Sequence, residues 1–326
     1  MNWGDIFGNA AQELISPTTA AYALAALGLA VHFGYTGLLN FGQAGFMAVG
    51  AYGYAISTLT LGFPVWAALL FGIGASVVFA LILGIPTLRL RADYLAIVTI
   101  AAAEIVRLMV TTNSFAPVTG SASGLSGYKE GFQALNPIPP GTYGFGPFTY
   151  NEQDWWLIII GWIAVILGGL LVWSLMRSPW GRVIKAIRED EDAVRALGKN
   201  VYAYKMQSLV LGGVFGAVGG MVFILPRAVV PSNYATSLTF FIYAILLLGG
   251  AATVLGPIIG SIMFWVLISF FSGFVARAVE AGWFPFMDSV QAGQLRFILV
   301  GVVIMLLVIF RPQGVFGNKK ELAFVK

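Results

Sequence analysis

Apolar stretches far longer than a soluble core needs alternate along this chain with short polar ones. Leu14 to Leu88 contains no Asp, Glu, Lys or Arg, and Met206 to Ala276 contains only Arg227. At a rise of ~1.5 Å per residue, runs of about 20 apolar residues match a hydrocarbon layer of ~30 Å. Bounded by Gly, Pro or charge, such runs predict spans at 16–34, 38–60, 64–84, 93–112, 155–176, 206–226, 236–252, 254–274 and 296–310. The pattern is that of an all-α polytopic membrane protein with about nine helices, in a range of eight to ten, forming one transmembrane domain over residues 1–326.

Composition agrees with the pattern. With 59% hydrophobic and 10% charged residues, the chain lacks the polar surface a globular fold needs. Its net charge of +4 does not point to nucleic acid, because the bases sit in loops where they sort topology. Arg89 and Arg91, the seven bases of 177–205, and Arg311, Lys319, Lys320 and Lys326 are expected in the cytoplasm, which places the C-terminus there. Segment 113–154 has Lys129 against Glu130, Glu152 and Asp154, and is expected outside. It is rich in Gly, Pro and Ser, the composition of a loop with room for a short surface helix and a partner. The first 13 residues carry Asp5 and Glu13 but no base, so they lack the n-region of a signal peptide and the first span is expected to be retained. The absence of cysteine excludes disulfides and thiolate chemistry.

Against this apolar background, "PWGRVIKAIREDEDAVRALGKN" at 179–200 carries nine charges in 22 positions. Pro179 suits a first helical turn, Ile184 and Ile187 fall on one side, and Arg182, Lys185 and Arg188 fall on another. The run Glu189, Asp190, Glu191, Asp192 is placed to cap a second helix over 193–197 that carries Arg195 and stops at Gly198. Topology alone does not require Ile, Val and Leu packed among balanced blocks of charge. A rigid docking knob accounts for both.

Three further patterns concern the spans. Gly212, Gly216 and Gly220 recur every four residues, and Gly256 and Gly260 repeat the spacing, which predicts close helix seams. Glu104 and Arg107, three apart, share a helix face and can neutralise each other, either as a structural ion pair or beside a solute pathway. Asn40 and Gln43 lie in "LLNFGQAGF", where their amides either satisfy a helix break or face a passing solute. His32 reads as a packed polar residue, and Pro257 and Pro312 as helix starts or stops. "LLNFGQAGFMAVGAY" and "LLLGGAATVLGPIIGSI" echo each other weakly, each an interruption leading into an apolar helix.

Enzyme chemistry has no foothold here. One His and no Cys cannot build the usual metal sites, and no nucleophile stands with a base. The only Gly-Lys pair, Gly198-Lys199, is followed by Asn200, so the phosphate-cradling motif G-x-x-x-x-G-K-[ST] is missing, ATP hydrolysis by that route is closed to this chain, and a membrane channel with a knob for a separate ATPase is a coherent reading. An ion-coupled secondary carrier would need intramembrane carboxylates beyond Glu104, and a passive channel leaves the knob unexplained.

"GYTGLLNFGQAGFMAVGAY" at 34–52, "TLRLRADYLAIVTI" at 87–100, the charged stretch through Gln207, "LGGVFGAVGGM" at 211–221, "LLGGAATVLGPIIGS" at 247–261 and "RPQGVFG" at 311–317 together resemble the LivM-type permeases of branched-chain amino acid ABC importers. The resemblance implies a type II importer fold in a bacterial or archaeal cytoplasmic membrane. It also implies pairing with a LivH-type permease, two ATP-binding cassette subunits that hold ATP and Mg, and an extracytoplasmic amino-acid-binding protein; this chain itself would bind no cofactor. It makes 177–205 the coupling loop. Urea and short-amide importers share the family, and Ala92 and the run Ala101, Ala102, Ala103 depart from its usual glycine-containing pattern.

Overall fold

The computed structural model describes residues 3–89, 92–281, 283, 289–311 and 313–317. In chain order the helices are α1 (Trp3–Gln12), α2 (Pro17–Leu29), α3 (Gln43–Leu59), α4 (Val65–Thr87), α5 (Ala92–Thr111), α6 (Ala116–Thr119), α7 (Glu130–Ala134), α8 (Glu152–Arg177), α9 (Pro179–Glu189), α10 (Glu191–Ala196), α11 (Val201–Ile224), α12 (Thr236–Gly249), α13 (Leu255–Glu280) and α14 (Ser289–Phe310). Each of the nine predicted spans overlaps one of these helices, but the helices are unequal. Among the described residues, α4, α5, α8, α11 and α13 are long and apolar enough to cross a bilayer alone. The pair α1 and α2, bent by 46°, makes a sixth candidate if it counts as one span. α12 has 14 residues, and α3 has 17 because the predicted span 38–60 is helical only from Gln43. Arg91, Pro312, Lys319, Lys320 and Lys326 lie outside the described residues.

Apolar residues all round α2 and α11 make them interior helices. Thr19 through Leu29 are buried without a break, and α11 buries every residue from Gly219 to Ile224. α4, α5 and α8 lie outside them and expose Leu70, Ile82, Ile97, Ile105, Ile166 and Leu167, the side chains a lipid phase would solvate.

The glycine spacing does what the sequence leads one to expect. A Cβ on Gly212 would run into the His32 ring, one on Gly216 would stand 2.7 Å from Gln43 Nε2 and 3.1 Å from Phe46 Cβ, and one on Gly220 would overlap the Met47 carbonyl. α11 therefore lies backbone to backbone against α2 and α3. Gly256 and Gly260 close in the same way on the Gly250 and Ile245 carbonyls, joining α13 to α12. Pro257 sits in the first turn of α13, where its missing N–H is harmless.

Segment 113–154 is folded rather than a plain loop. Besides α6 and α7 it forms a hairpin, β1 (Thr142–Tyr143) with β2 (Tyr150–Asn151), pairing Thr142 with Asn151. Leu125 and Val229 exchange backbone bonds at 2.9 and 3.1 Å, and Gln12 Nε2 donates to Pro147 O at 2.7 Å. α1, which the sequence pattern did not predict, packs Trp3 and Phe7 on Phe274 and Phe270 at this same end. Arg227 also sits here, donating to Thr18 Oγ1 at 2.6 Å with its guanidinium 4.2 Å over the Phe223 ring.

Gly220→Ala sets a methyl against a backbone carbonyl that cannot rotate away, so it is expected to destabilise by about 1–3 kcal/mol, as overpacking does. Gly74→Ala, with nothing within 4 Å, serves as the neutral control. Thermal unfolding of the detergent-solubilised variants distinguishes them, and equal midpoints would refute the seam.

Candidate functional site

Between α2 and α3 the chain stops being α-helical inside the apolar body. Residues Ala30–Tyr35 widen into a π-turn, and 37–42 have no regular secondary structure before α3 begins. Apolar surroundings offer this stretch no water, so each amide needs a protein acceptor. Gly37 N and Leu38 N donate back to Phe33 O and His32 O, Asn40 N to Leu38 O, and Phe41 N to Thr99 Oγ1 at 3.0 Å. Gly42 N donates to Asn40 Oδ1 at 2.8 Å and Ala44 N to Thr239 Oγ1 at 2.9 Å.

The side chains in this break form a closed network whose hydrogens can be assigned. A backbone N–H can only donate, so the Asn40 atom facing Gly42 is its oxygen. Asn40 Nδ2 then donates to His32 Nδ1 at 3.0 Å and to Gln43 Oε1 at 3.2 Å. With Nδ1 accepting, the imidazole proton resides on Nε2 and is donated to Leu209 O at 3.0 Å. Gln43 Nε2 completes the set by donating to Ala25 O at 3.1 Å and Gly212 O at 3.2 Å. Asn40, Gln43 and His32 show no exposed surface. Of the two roles open to the amides in the sequence, satisfying a helix break is the one this conformation displays. His32 is packed and neutral, as its solitary place in an apolar span suggests.

Thr36, Ser208, Thr99, Thr239 and Tyr243 belong to the same region and were not singled out from sequence. Thr36 Oγ1 lies 2.5 Å from Ser208 Oγ, and Tyr243 donates its hydroxyl to Asn40 O at 3.1 Å while its ring stacks on Phe41 at 4.5 Å between centroids. Their common signal is a hydroxyl within an otherwise apolar run. The second of the two echoing stretches also comes close to this region: a Cβ on Gly34, four residues before the first stretch begins, would overlap the Ala251 carbonyl.

At the opposite end from segment 113–154, α9 and α10 form the predicted knob. Ser178 caps α9, accepting from Gly181 N, and Asp190 Oδ1 caps α10 with bonds from Asp192 N and Ala193 N, both at 3.0 Å. α10 therefore starts two residues before the expected 193–197. Ile187, Val194 and Val201 make a small core of their own, with Val183 and Tyr204 against it. Burying such side chains contributes roughly 1.5–3 kcal/mol each.

Of the eight charges proposed for docking, Arg182, Lys185, Glu189, Asp190, Asp192 and Arg195 are exposed. Some of them also hold the knob together: Arg195 bonds Glu191 at 2.8 Å and Asp192 at 2.6 Å, Lys205 pairs with Glu191, and Asp190 is the cap. Arg188 corrects the sequence reading most clearly, because its side chain turns inward and donates to Gly34 O rather than joining Arg182 on the outer face. Leu197, 79% exposed at the tip, is a large apolar residue that the sequence pattern left unassigned.

Glu104 and Arg107 pair through three hydrogen bonds, two of them at 2.9 and 3.0 Å from Nε. They lie partly exposed on α5, with side chains 25% (Arg107) and 36% (Glu104) exposed, beside the exposed Ile105, Leu108 and Met109. Among the described residues no group of His, Asp and Glu is placed to hold a metal.

With this geometry, the comparisons acquire meaning. The profile of a family described as "Branched-chain amino acid transport system / permease component" matches residues 14–309. A high-affinity branched-chain amino acid permease protein, LivM, of Salmonella typhimurium is 29% identical over 92% of this chain and 68% of its own length. A probable LivM of Methanocaldococcus jannaschii is 25% identical over 91% of both chains. A nucleoside ABC transporter permease, NupC, of Lactococcus lactis subsp. cremoris is 22% identical over 89% of both.

Asn40→Leu keeps the branched shape but orphans Gly42 N–H, His32 Nδ1 and Gln43 Oε1. Each unsatisfied buried group costs about 1–3 kcal/mol, so a loss of roughly 3 kcal/mol or more is expected. Asn40→Asp should also destabilise, because its second oxygen faces two acceptors. Unfolding of the purified variants measures both, and wild-type stability in Asn40→Leu would refute the network.

Proposed function

The chain belongs to the branched-chain amino acid transport system permease component family, and from this we propose that it is the membrane permease of an ATP-driven importer of branched-chain amino acids. It is a multi-pass membrane subunit and not itself an ATPase, and the family implies ATPase and binding-protein partners. The reading extends to a LivH-type second permease, two ATP-binding cassette subunits carrying ATP and Mg, and an extracytoplasmic amino-acid-binding protein. The LivM relatives support the solute; the nucleoside permease at 22% identity keeps a related importer of another solute as the second reading.

The observation that carries the mechanism is the knob. It combines an apolar core, an exposed cationic row of Arg182 and Lys185, an exposed anionic edge of Glu189 and Asp192, and the bare Leu197 tip. Such a body suits a groove in an ATPase and moves as a unit when the nucleotide sites close. The knob end is then cytoplasmic and segment 113–154 external, where the binding protein docks, in agreement with the distribution of bases. Residues 313–317 share the knob end: Val315 N and Phe316 N donate to Leu248 O and Gly249 O at 3.0 and 2.9 Å, beside the break that touches Gly34.

Glu104 and Arg107 mark a second contact. An ion pair facing acyl chains is expensive even when neutralised. We assign their face of α5 to the second permease and to the solute path between the two chains. That path carries no unpaired formal charge from this face, which suits a zwitterion of zero net charge with an aliphatic side chain. Lys or Glu solutes would bring a charge whose desolvation nothing there repays.

Two measurements test this function. In proteoliposomes containing all subunits, ATP-driven uptake of labelled leucine is expected to exceed that of urea, a short amide, a nucleoside and lysine; uptake of urea or a nucleoside but not leucine would overturn the solute and leave the importer. Arg182→Glu with Lys185→Glu should abolish co-purification of the ATPases while the chain still inserts. Retained binding would overturn the docking surface.

A further inference from the structure

α2 and its π-turn end at Tyr35, and the carbonyls of a final helical turn have no intrahelical donor. One of them is taken by a residue from a distant part of the chain: Arg188 Nη1, in the last turn of α9, donates to Gly34 O. The Arg188 side chain is 13% exposed, and its Cγ lies 3.1 Å from where a Gly37 Cβ would stand. Gly37 has φ +74°, a left-handed conformation that favours glycine, and it starts the irregular stretch toward Asn40. One turn earlier on α9, Lys185 Nζ lies 5.6 Å from the centre of the Tyr35 ring. A cation at a helix C-terminus is also stabilised by the helix dipole. The knob thus grips the place where α2 gives way to the break.

We propose that Arg188 is the positioning residue that transmits movement of the knob into the membrane, by capping the Gly34 carbonyl and so tethering α9 to the break at 36–42. The proposal rests on the reading of α9 and α10 as the ATPase contact and goes beyond it by naming the inward link. α9 has two duties: the exposed Arg182 and Lys185 face the partner, Lys185 with its ammonium also near the Tyr35 ring, while Arg188 turns inward to this chain's own hinge. Displacing α9 carries the Arg188 guanidinium with it, so the carbonyl it caps must follow or lose its donor. The π-turn is suited to this, since its wider i→i+5 bonding is already a departure from the α-helix on either side. Movement at Gly34 then reaches Ala251 across the glycine contact and the His32, Asn40, Gln43 network along the chain.

The test uses the complete reconstituted transporter and compares Arg188→Gln with Arg188→Lys, which keeps the charge and one reaching donor. Leucine moved per ATP hydrolysed is measured together with thiol labelling of Leu39→Cys, introduced into a chain that has no native cysteine. In the parent the labelling rate should differ between nucleotide-free and ATP-trapped states. Arg188→Gln should retain its ATPases yet lose that nucleotide response, and its transport per ATP should fall by about fivefold or more, the size of a typical coupling between sites. Arg188→Lys should recover part of both. If Arg188→Gln does not assemble, Gly37→Ala probes the same contact from the membrane side and should give the same uncoupling. A cap with only a structural role would lower yield while leaving transport per ATP and the labelling response at parental values, and that result overturns the tether. If the Arg182→Glu, Lys185→Glu variant still binds its ATPases, the docking reading fails and the tether with it; if that variant loses them while Arg188→Gln remains fully coupled, only the tether fails.

Discussion

An amide in hydrocarbon has no water to fall back on, and the whole interior of this protein is arranged around one place where a helix cannot supply the partner. Between Tyr35 and Gln43 the backbone leaves the α-helical form, and polar groups from α5, α11 and α12 converge to complete it: the Thr99 and Thr239 hydroxyls, the Leu209 and Gly212 carbonyls, and the Tyr243 hydroxyl. Three helices distant in sequence are pinned to the break by this requirement. The side chains that do it are neutral, so no isolated charge is buried.

Glycine makes the arrangement sterically feasible. For Gln43 to reach Gly212 O and for the His32 ring to reach Leu209 O, α11 must approach α2 and α3 more closely than any side chain permits, which is why Gly212 lies directly under the imidazole and Gly216 beside the Gln43 amide. Packing and polar satisfaction are therefore one constraint here. Moving α11 outward by the width of a methyl group would lengthen the same bonds that close the break.

The knob obeys the ordinary rules of soluble helices, with caps at Ser178 and Asp190, ion pairs along α10 and an Ile187, Val194, Val201 core. Its position is what gives it mechanical meaning. A rigid body in water is bonded through Arg188 to the end of a helix whose continuation is the least regular segment of the apolar interior. Such a contact joins the place where a water-soluble partner would push to the place where the fold has most freedom to change.

Much of this was legible before any coordinates. Twenty-residue apolar runs dictate helices because only a helix satisfies its own backbone in lipid, and glycine every fourth residue dictates a seam because such residues share one face. The amphipathic pattern of 179–189 and the acidic run after it placed two capped helices with an error of two residues. Local periodicity could not reveal that 38–42 leaves the helix, since its apolar residues suit a helix as well and the decision lies with Thr99, Thr239 and the carbonyls of α11, all far away in sequence. Nor could it separate Arg188 from Arg182, because helical spacing puts both on the charged side of α9, and only the presence of Gly34 beneath one of them turns that side chain inward. The sequence by itself determined which segments are apolar, which are helical and where they pack closely. Which polar groups face one another was decided by the tertiary structure alone, because hydrogen bonds depend on positions in space that residues 170 to 200 apart reach only when the helices assemble.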